Sequence, residues 1–256
     1  MSRVSIATCE SAPIITPPFL CEGPVVTRAL FSGDHHPIHL EVYRLGPGAA
    51  VQFSGDRTDV AIFVWKGTAA AGGARLERGS SAIVEFGAAL NIAASDEGAT
   101  LVAFTLAKHH TGSSGMHVHL LPNERVPRTD QLGGTEGVSG AIHADSQCPT
   151  CAVWMHENGY AAAGKETPVH SHSENEIIFV TAGSMRIGRR EYGPGSALAI
   201  AANTKYGFFS GPDGLSFVNF RGSSPTYRSG DGSVTMDEAE LWRSLLGRPV
   251  YLEPVR

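Results

Sequence analysis

Residues Gly48 to Phe104 align with Gly164 to Phe220 at a constant offset of 116, without a gap. Gly67 falls on Gly183, Gly72 on Gly188, Gly79 on Gly195 and Gly98 on Gly214. Ile62-Phe63-Val64 falls on Ile178-Phe179-Val180, and Val102 and Phe104 fall on Val218 and Phe220. Identity between the copies is modest. Its concentration at turn glycines and apolar strand positions gives it weight, because those positions fix turn geometry and packing. The chain therefore reads as a duplicated barrel. Thirty glycines and fifteen prolines among short apolar runs fit that reading, since short strands joined by many turns make all-β barrels. A length of 256 residues also suits two domains.

The second copy carries the chemistry. Gly164 to Gly183 reads G-K-E-T-P-V-H-S-H-S-E-N-E-I-I-F-V-T-A-G. Side chains alternate across a strand, so His170 and His172 share a face. Glu176 has the same parity and returns to that face if a turn keeps the count. Two imidazoles and a carboxylate make a ligand set for a first-row divalent metal, and with open positions they are the set of non-haem Fe(II) oxygenases. Beyond Glu176, parity predicts that Ile178 and Val180 line the cavity. The first copy has Ser54, Asp56 and Val60 at the positions of His170, His172 and Glu176. It is expected to be a structural partner for the active barrel.

The second copy resembles the first signature motif of the cupin superfamily: G, five residues, H-x-H, three residues, E, six residues, G. Gly164, His170, His172, Glu176 and Gly183 fill it in full. The resemblance implies an all-β bicupin: two cupin (double-stranded β-helix, jelly-roll) barrels in tandem, with a short C-terminal helix on the outside of a barrel. The second cupin motif usually supplies a histidine as fourth ligand; aligned on Gly195, that position is Tyr206, and Leu90 is its counterpart in the first copy. Tyr206 is a phenolate ligand, a catalytic hydrogen-bond or proton donor standing off the metal, or a space-filler that closes the site, and the second is preferred. Thr204 and Phe208 flank it and are expected to bind substrate.

The implied cofactor is one divalent transition metal, iron first, with manganese, nickel, zinc or copper also compatible. The function expected is a metal-dependent, dioxygenase-like oxidoreductase acting on a small organic or aromatic substrate in a mostly apolar pocket. Two alternatives stand beside it. One is a metal hydrolase of the ureidoglycine aminohydrolase type, which the chain resembles in length, in a silent N-terminal barrel and in its ending, although that family starts its ligand string with glutamate. The other is a non-catalytic cupin that binds a small ligand.

Domain limits are expected at 1–115 for the degenerate barrel, 116–150 for the connection and 151–256 for the metal-binding barrel with its helix. A net charge of -5 without any basic run excludes a nucleic-acid surface. The N-terminus lacks a signal-peptide pattern, and no apolar stretch is long enough for a transmembrane helix, so the expectation is a cytoplasmic protein with no membrane partner. Open strand edges suit a homodimer. Four cysteines do not form a disulfide framework.

Two further motifs are expected to be inert. His117-x-His119, with Glu124 downstream, lacks a closing glycine and runs into Pro122 and Asn123, so it reads as a solvent-facing or inter-barrel strand. Cys148-x-x-Cys151 lacks a second C-x-x-C and reads as a turn. The pairs His35-His36 and His109-His110 read as surface loops. Near the end, Thr235 to Glu238 reads as a capping box that starts a helix to about Leu246, with Leu241 and Leu245 on one face and Gly247 as its stop.

Overall fold

The computed structural model describes residues 3–33, 35–108, 115–146, 148–151 and 153–252. His109 and His110 lie outside them. The chain divides into two compact units that interrupt each other in sequence. One comprises residues 11–126, 148–151 and 249–256; the other comprises 1–10, 127–147 and 152–248. The two expected barrels are there, but cuts at 115 and 150 do not bound them.

The sequence repeat is a structural repeat. Strand Val60–Ala71 and strand Glu176–Ile187 differ by the offset of 116 at both ends. The first pairs antiparallel with Ala89–Leu106, and the second with Tyr206–Arg221. Register is preserved too: Gly67 lies opposite Ala99, and Gly183 opposite Leu215. Both glycines take positive φ, 73° and 61°. A Cβ at Gly67 would sit 2.2 Å from the carbonyl oxygen of Gly98, and one at Gly183 would sit 2.3 Å from that of Gly214. A backbone crossing this tight admits only glycine, which is why both copies keep it.

The strand that closes each unit comes from before or after its repeat. Val118–Leu121 pairs with Ser81–Val84 in the N-terminal unit. Val4–Thr8 pairs with Ser196–Ile200 in the C-terminal unit, so the first residues of the chain complete the barrel encoded last. In the N-terminal unit, Val60 and Leu90 join Tyr43, Phe53 and Val84 in a buried apolar cluster. The counterparts of Glu176 and Tyr206 there are core packing, whereas Asp56, the counterpart of His172, is exposed.

The C-terminal helix runs over Glu238–Leu246. Its N-cap is Asp237, whose side chain accepts from the Glu240 amide at 3.0 Å, rather than Thr235. Thr235 is still in strand, paired with Arg228, and so cannot cap. Gly247 ends the helix at φ 79°. The face turned inward carries Ala239 and Trp242, while Leu241 and Leu245 are 40% and 44% exposed. Trp242 packs edge-on against Trp154, and this large ring fixes which side of the helix is buried. Among the described residues, no helix is long and apolar enough to cross a membrane.

Candidate active site in the C-terminal barrel

Pairing between strands assembles the site. His170 and His172 lie on strand Glu166–His172, with His170 opposite Tyr206 on one side and His172 opposite Tyr227 on the other. Glu176 opens the next strand, opposite Arg221, and Ile178 lies opposite Asn219. His156, on Trp154–Tyr160, meets Asn219 from the far side. These positions share parity, so their side chains converge inside the barrel. His170, His172 and Glu176 are 5%, 6% and 2% exposed, so the expected inward face is the observed one.

A cavity of about 460 Å³ opens beside these residues. His170, His172, Ile178, Tyr206 and Phe208 line it, together with Tyr160, Phe217 and Tyr227, and helix residues Leu241 and Trp242 form part of the wall. Val180 instead packs in the apolar cluster with Met185, Leu198 and Phe217, and Thr204 is buried off the lining.

Each imidazole has one nitrogen engaged. His170 Nδ1 is 2.7 Å from the Pro168 carbonyl oxygen. His172 Nδ1 is 2.9 Å from Glu238 Oε2, a close polar contact off the line of an ideal hydrogen bond. Nε2 is then the remaining ligand atom on each ring. Glu176 is more heavily engaged: Arg221 donates to its Oε2 at 2.7 Å and Asn219 at 2.8 Å. Arg221 also reaches Glu238 Oε1 at 3.3 Å. Glu176 itself is absent from the cavity lining among the described residues.

The electrostatics follow from this packing. Burial works against the charge of Glu176 and of Glu238, but Arg221 beside both outweighs it and holds both carboxyls below their usual range. Burial also opposes the charge of Arg221, and the same two carboxylates keep it firmly protonated. One guanidinium against two carboxylates leaves one unit of negative charge in the cluster. Burial of the Tyr206 hydroxyl, reinforced by the Glu176 carboxylate, pushes its pKa well above the usual 10, so it keeps its proton at neutral pH. His156 accepts from Trp154 Nε1 at 2.8 Å; burial, then Arg221, lowers its pKa to about 3. It is a neutral structural imidazole.

Spacing alone did not point to Arg221, Asn219, Glu238 or His156. A signal was present for two of them. In S-F-V-N-F-R, Asn219 and Arg221 interrupt an otherwise apolar core strand on the face that Phe217 shares. A polar residue in such a place is there for a partner.

The described residues hold another cluster, outside this barrel. Glu85, His119, Cys148 and Cys151 place their ligand atoms within 4.8 Å of one another, and they are the group of His, Cys, Asp and Glu that meets this distance. His170, His172 and Glu176 are not so closely gathered. His119 and Cys148-x-x-Cys151, expected to be an inert strand residue and a plain turn, are brought together with Glu85 in this cluster. The partner that unites them, Glu85, lies 34 residues before His119, out of reach of any local pattern.

No family model matches the chain, and no curated protein matches it. Solved structures do. The formate complex of oxalate decarboxylase from Lactobacillus farciminis aligns with a TM-score of 0.67 at 12% identity, covering 88% of each chain. A protein provisionally assigned as a dioxygenase from Nostoc punctiforme aligns at 0.65 and 12%, covering 86% of this chain and 82% of that one. Protein Ylba from E. coli aligns at 0.66 and 12%, covering 85% and 90%. At such identities the likeness is one of fold. The fold is the tandem cupin, all-β and duplicated.

Proposed function

We propose that the cavity of the C-terminal barrel is the active centre of a metal-dependent enzyme acting on a small organic substrate. The observation that carries this reading is the pair of buried imidazoles whose Nδ1 atoms lie close to an oxygen, hydrogen-bonded at 2.7 Å for His170 and in contact at 2.9 Å for His172, which leaves Nε2 as the ligand atom on both. Metal-ligating histidines are oriented by such partners. The cluster's unit of negative charge favours a cation beside it. In this reading His170, His172 and Glu176 hold the metal. Asn219 and Arg221 both bond Oε2 of Glu176, so neither occupies Oε1. A divalent transition metal there, iron by ligand type, supplies Lewis acidity and, as Fe(II), reactivity toward oxygen.

The chain's own residues do the rest. Tyr206 carries a proton to the substrate edge of the site. Arg221 fixes Glu176 and Glu238, and through Glu238 the ring of His172. Asn219 Oδ1, an acceptor, and Arg221 Nε, a donor, are buried without a hydrogen-bond partner among the described residues. A small substrate in the cavity would rest its apolar body against Tyr160, Phe208 and Phe217. Leu241 and Trp242 of the helix exclude water from that side.

A second reading rests on the engagement of Glu176 by Arg221. If that ion pair is permanent, the site works without metal, with His172 as a base oriented by Glu238 and Tyr206 as the acid. Two assays address the reaction class. Oxygen uptake by Fe(II)-loaded protein supplied with small aromatic acids is the expected result; ammonia release from ureido substrates would instead mark the aminohydrolase alternative. Turnover that is unchanged by chelation and needs no oxygen would overturn the metal reading.

A further inference from the structure

We infer that Glu85, His119, Cys148 and Cys151 form a structural zinc site in the N-terminal unit, separate from the barrel cavity. All four belong to that unit, even though Cys148–Cys151 is only a four-residue loop reached from the other one. His119 lies on Val118–Leu121, opposite Ile83 of Ser81–Val84, and Glu85 follows that strand directly. One side of the site is therefore built on a paired sheet.

The distances suit a tetrahedral ion. His119 Nε2 lies 2.8 Å from Glu85 Oε1 and 3.7 Å from each cysteine sulfur. Cys148 Sγ lies 3.3 Å from Glu85 Oε1. With Zn–S near 2.3 Å and Zn–N or Zn–O near 2.0–2.2 Å, tetrahedral edges come to about 3.3–3.8 Å. The cluster needs only small adjustments to reach them. Burial points the same way: Glu85 is 0% exposed and Cys151 is 3% exposed, so the carboxylate is inside protein without Lys or Arg beside it. Among the described residues its ion-pair partners are His117, at 3.4 Å, and His119, at 2.8 Å.

Two thiolates, an imidazole and a carboxylate are a closed ligand set, which makes the site structural rather than catalytic. Thiolate ligands also select zinc over manganese or iron with oxygen ligands. Glu85 is held in turn by Thr150 Oγ1, donating at 2.8 Å, and by the His117 amide, at 3.2 Å. Such outer contacts orient a ligand. The role of the ion is to pin residues 148–151 onto the sheet of Ser81–Val84 and Val118–Leu121.

The test uses full-length, untagged protein kept reduced. Elemental analysis should find zinc that survives dialysis. Replacing it with Co²⁺ should give the near-ultraviolet thiolate-to-cobalt band together with strong visible bands of a tetrahedral ion. These bands should vanish in Cys148→Ser/Cys151→Ser and persist in His170→Ala/His172→Ala. Zinc should also protect Cys148 and Cys151 of the unmodified protein from alkylation, a readout that needs no variant. Cobalt binding without a thiolate band, or alkylation at the same rate with and without zinc, would overturn the site.

Discussion

Under the proposed function, Tyr206 is the proton donor of the C-terminal barrel. It stands opposite His170, its ring lies 4.5 Å from that imidazole, and the Glu176 carboxylate helps keep it protonated. Tyr206→Phe removes the hydroxyl while keeping the ring. Turnover should fall by roughly 10²–10⁴, the usual scale of a lost proton donor, with melting temperature and metal content close to the parent. Loss of metal with the hydroxyl would make Tyr206 a ligand instead. His156 gives a prediction on stability. Its folded pKa, about 3, lies below the unfolded value near 6.5, so the unfolded chain takes up a proton that the folded chain refuses. Stability from this group is full above pH 6.5 and is lost as pH falls toward 3. At pH 5 the loss comes to about 2 kcal/mol. Denaturation midpoints at pH 7 and pH 5 should differ less in His156→Asn than in the parent; equal differences would assign the slope to other groups.

At the scale of elements, much of the architecture was legible and the reason is specific. Glycines at a fixed offset mark backbone crossings where a Cβ would meet a carbonyl oxygen, so they survive when most side chains have diverged. The parity of His170, His172 and Glu176 was readable because an extended strand leaves no choice of face. The ion pair of Glu176 with Arg221 was not, since it depends on cross-strand register between residues 45 positions apart. Glu238 was hidden differently: beside Thr235 it looked like a capping glutamate, whereas it turns inward to Arg221 and His172. The actual cap is Asp237. Asp237→Ala should cost about 1 kcal/mol, measured by chemical denaturation, while Thr235→Ala should cost much less. A larger loss at Thr235 would restore the capping box.

For the whole molecule, duplication has separated two tasks. The N-terminal repeat has Val60 and Leu90 in its apolar core at two of the counterpart positions, while the C-terminal repeat has a cavity beside paired histidines. The sequence distinguished the two because loss of ligands is visible position by position. It could not reveal Glu85, His119, Cys148 and Cys151 as one cluster, since the loop that supplies the cysteines is sequentially part of the second half. Under the proposed function, His170, His172 and Glu176 hold a metal in the C-terminal cavity. Manganese titration followed by electron paramagnetic resonance tests it most directly, because a hard ion avoids the cysteine cluster. One Mn²⁺ should bind per chain in the parent protein and none in a folded His172→Ala variant. An equivalent retained by that variant, or no binding by the parent, would contradict it.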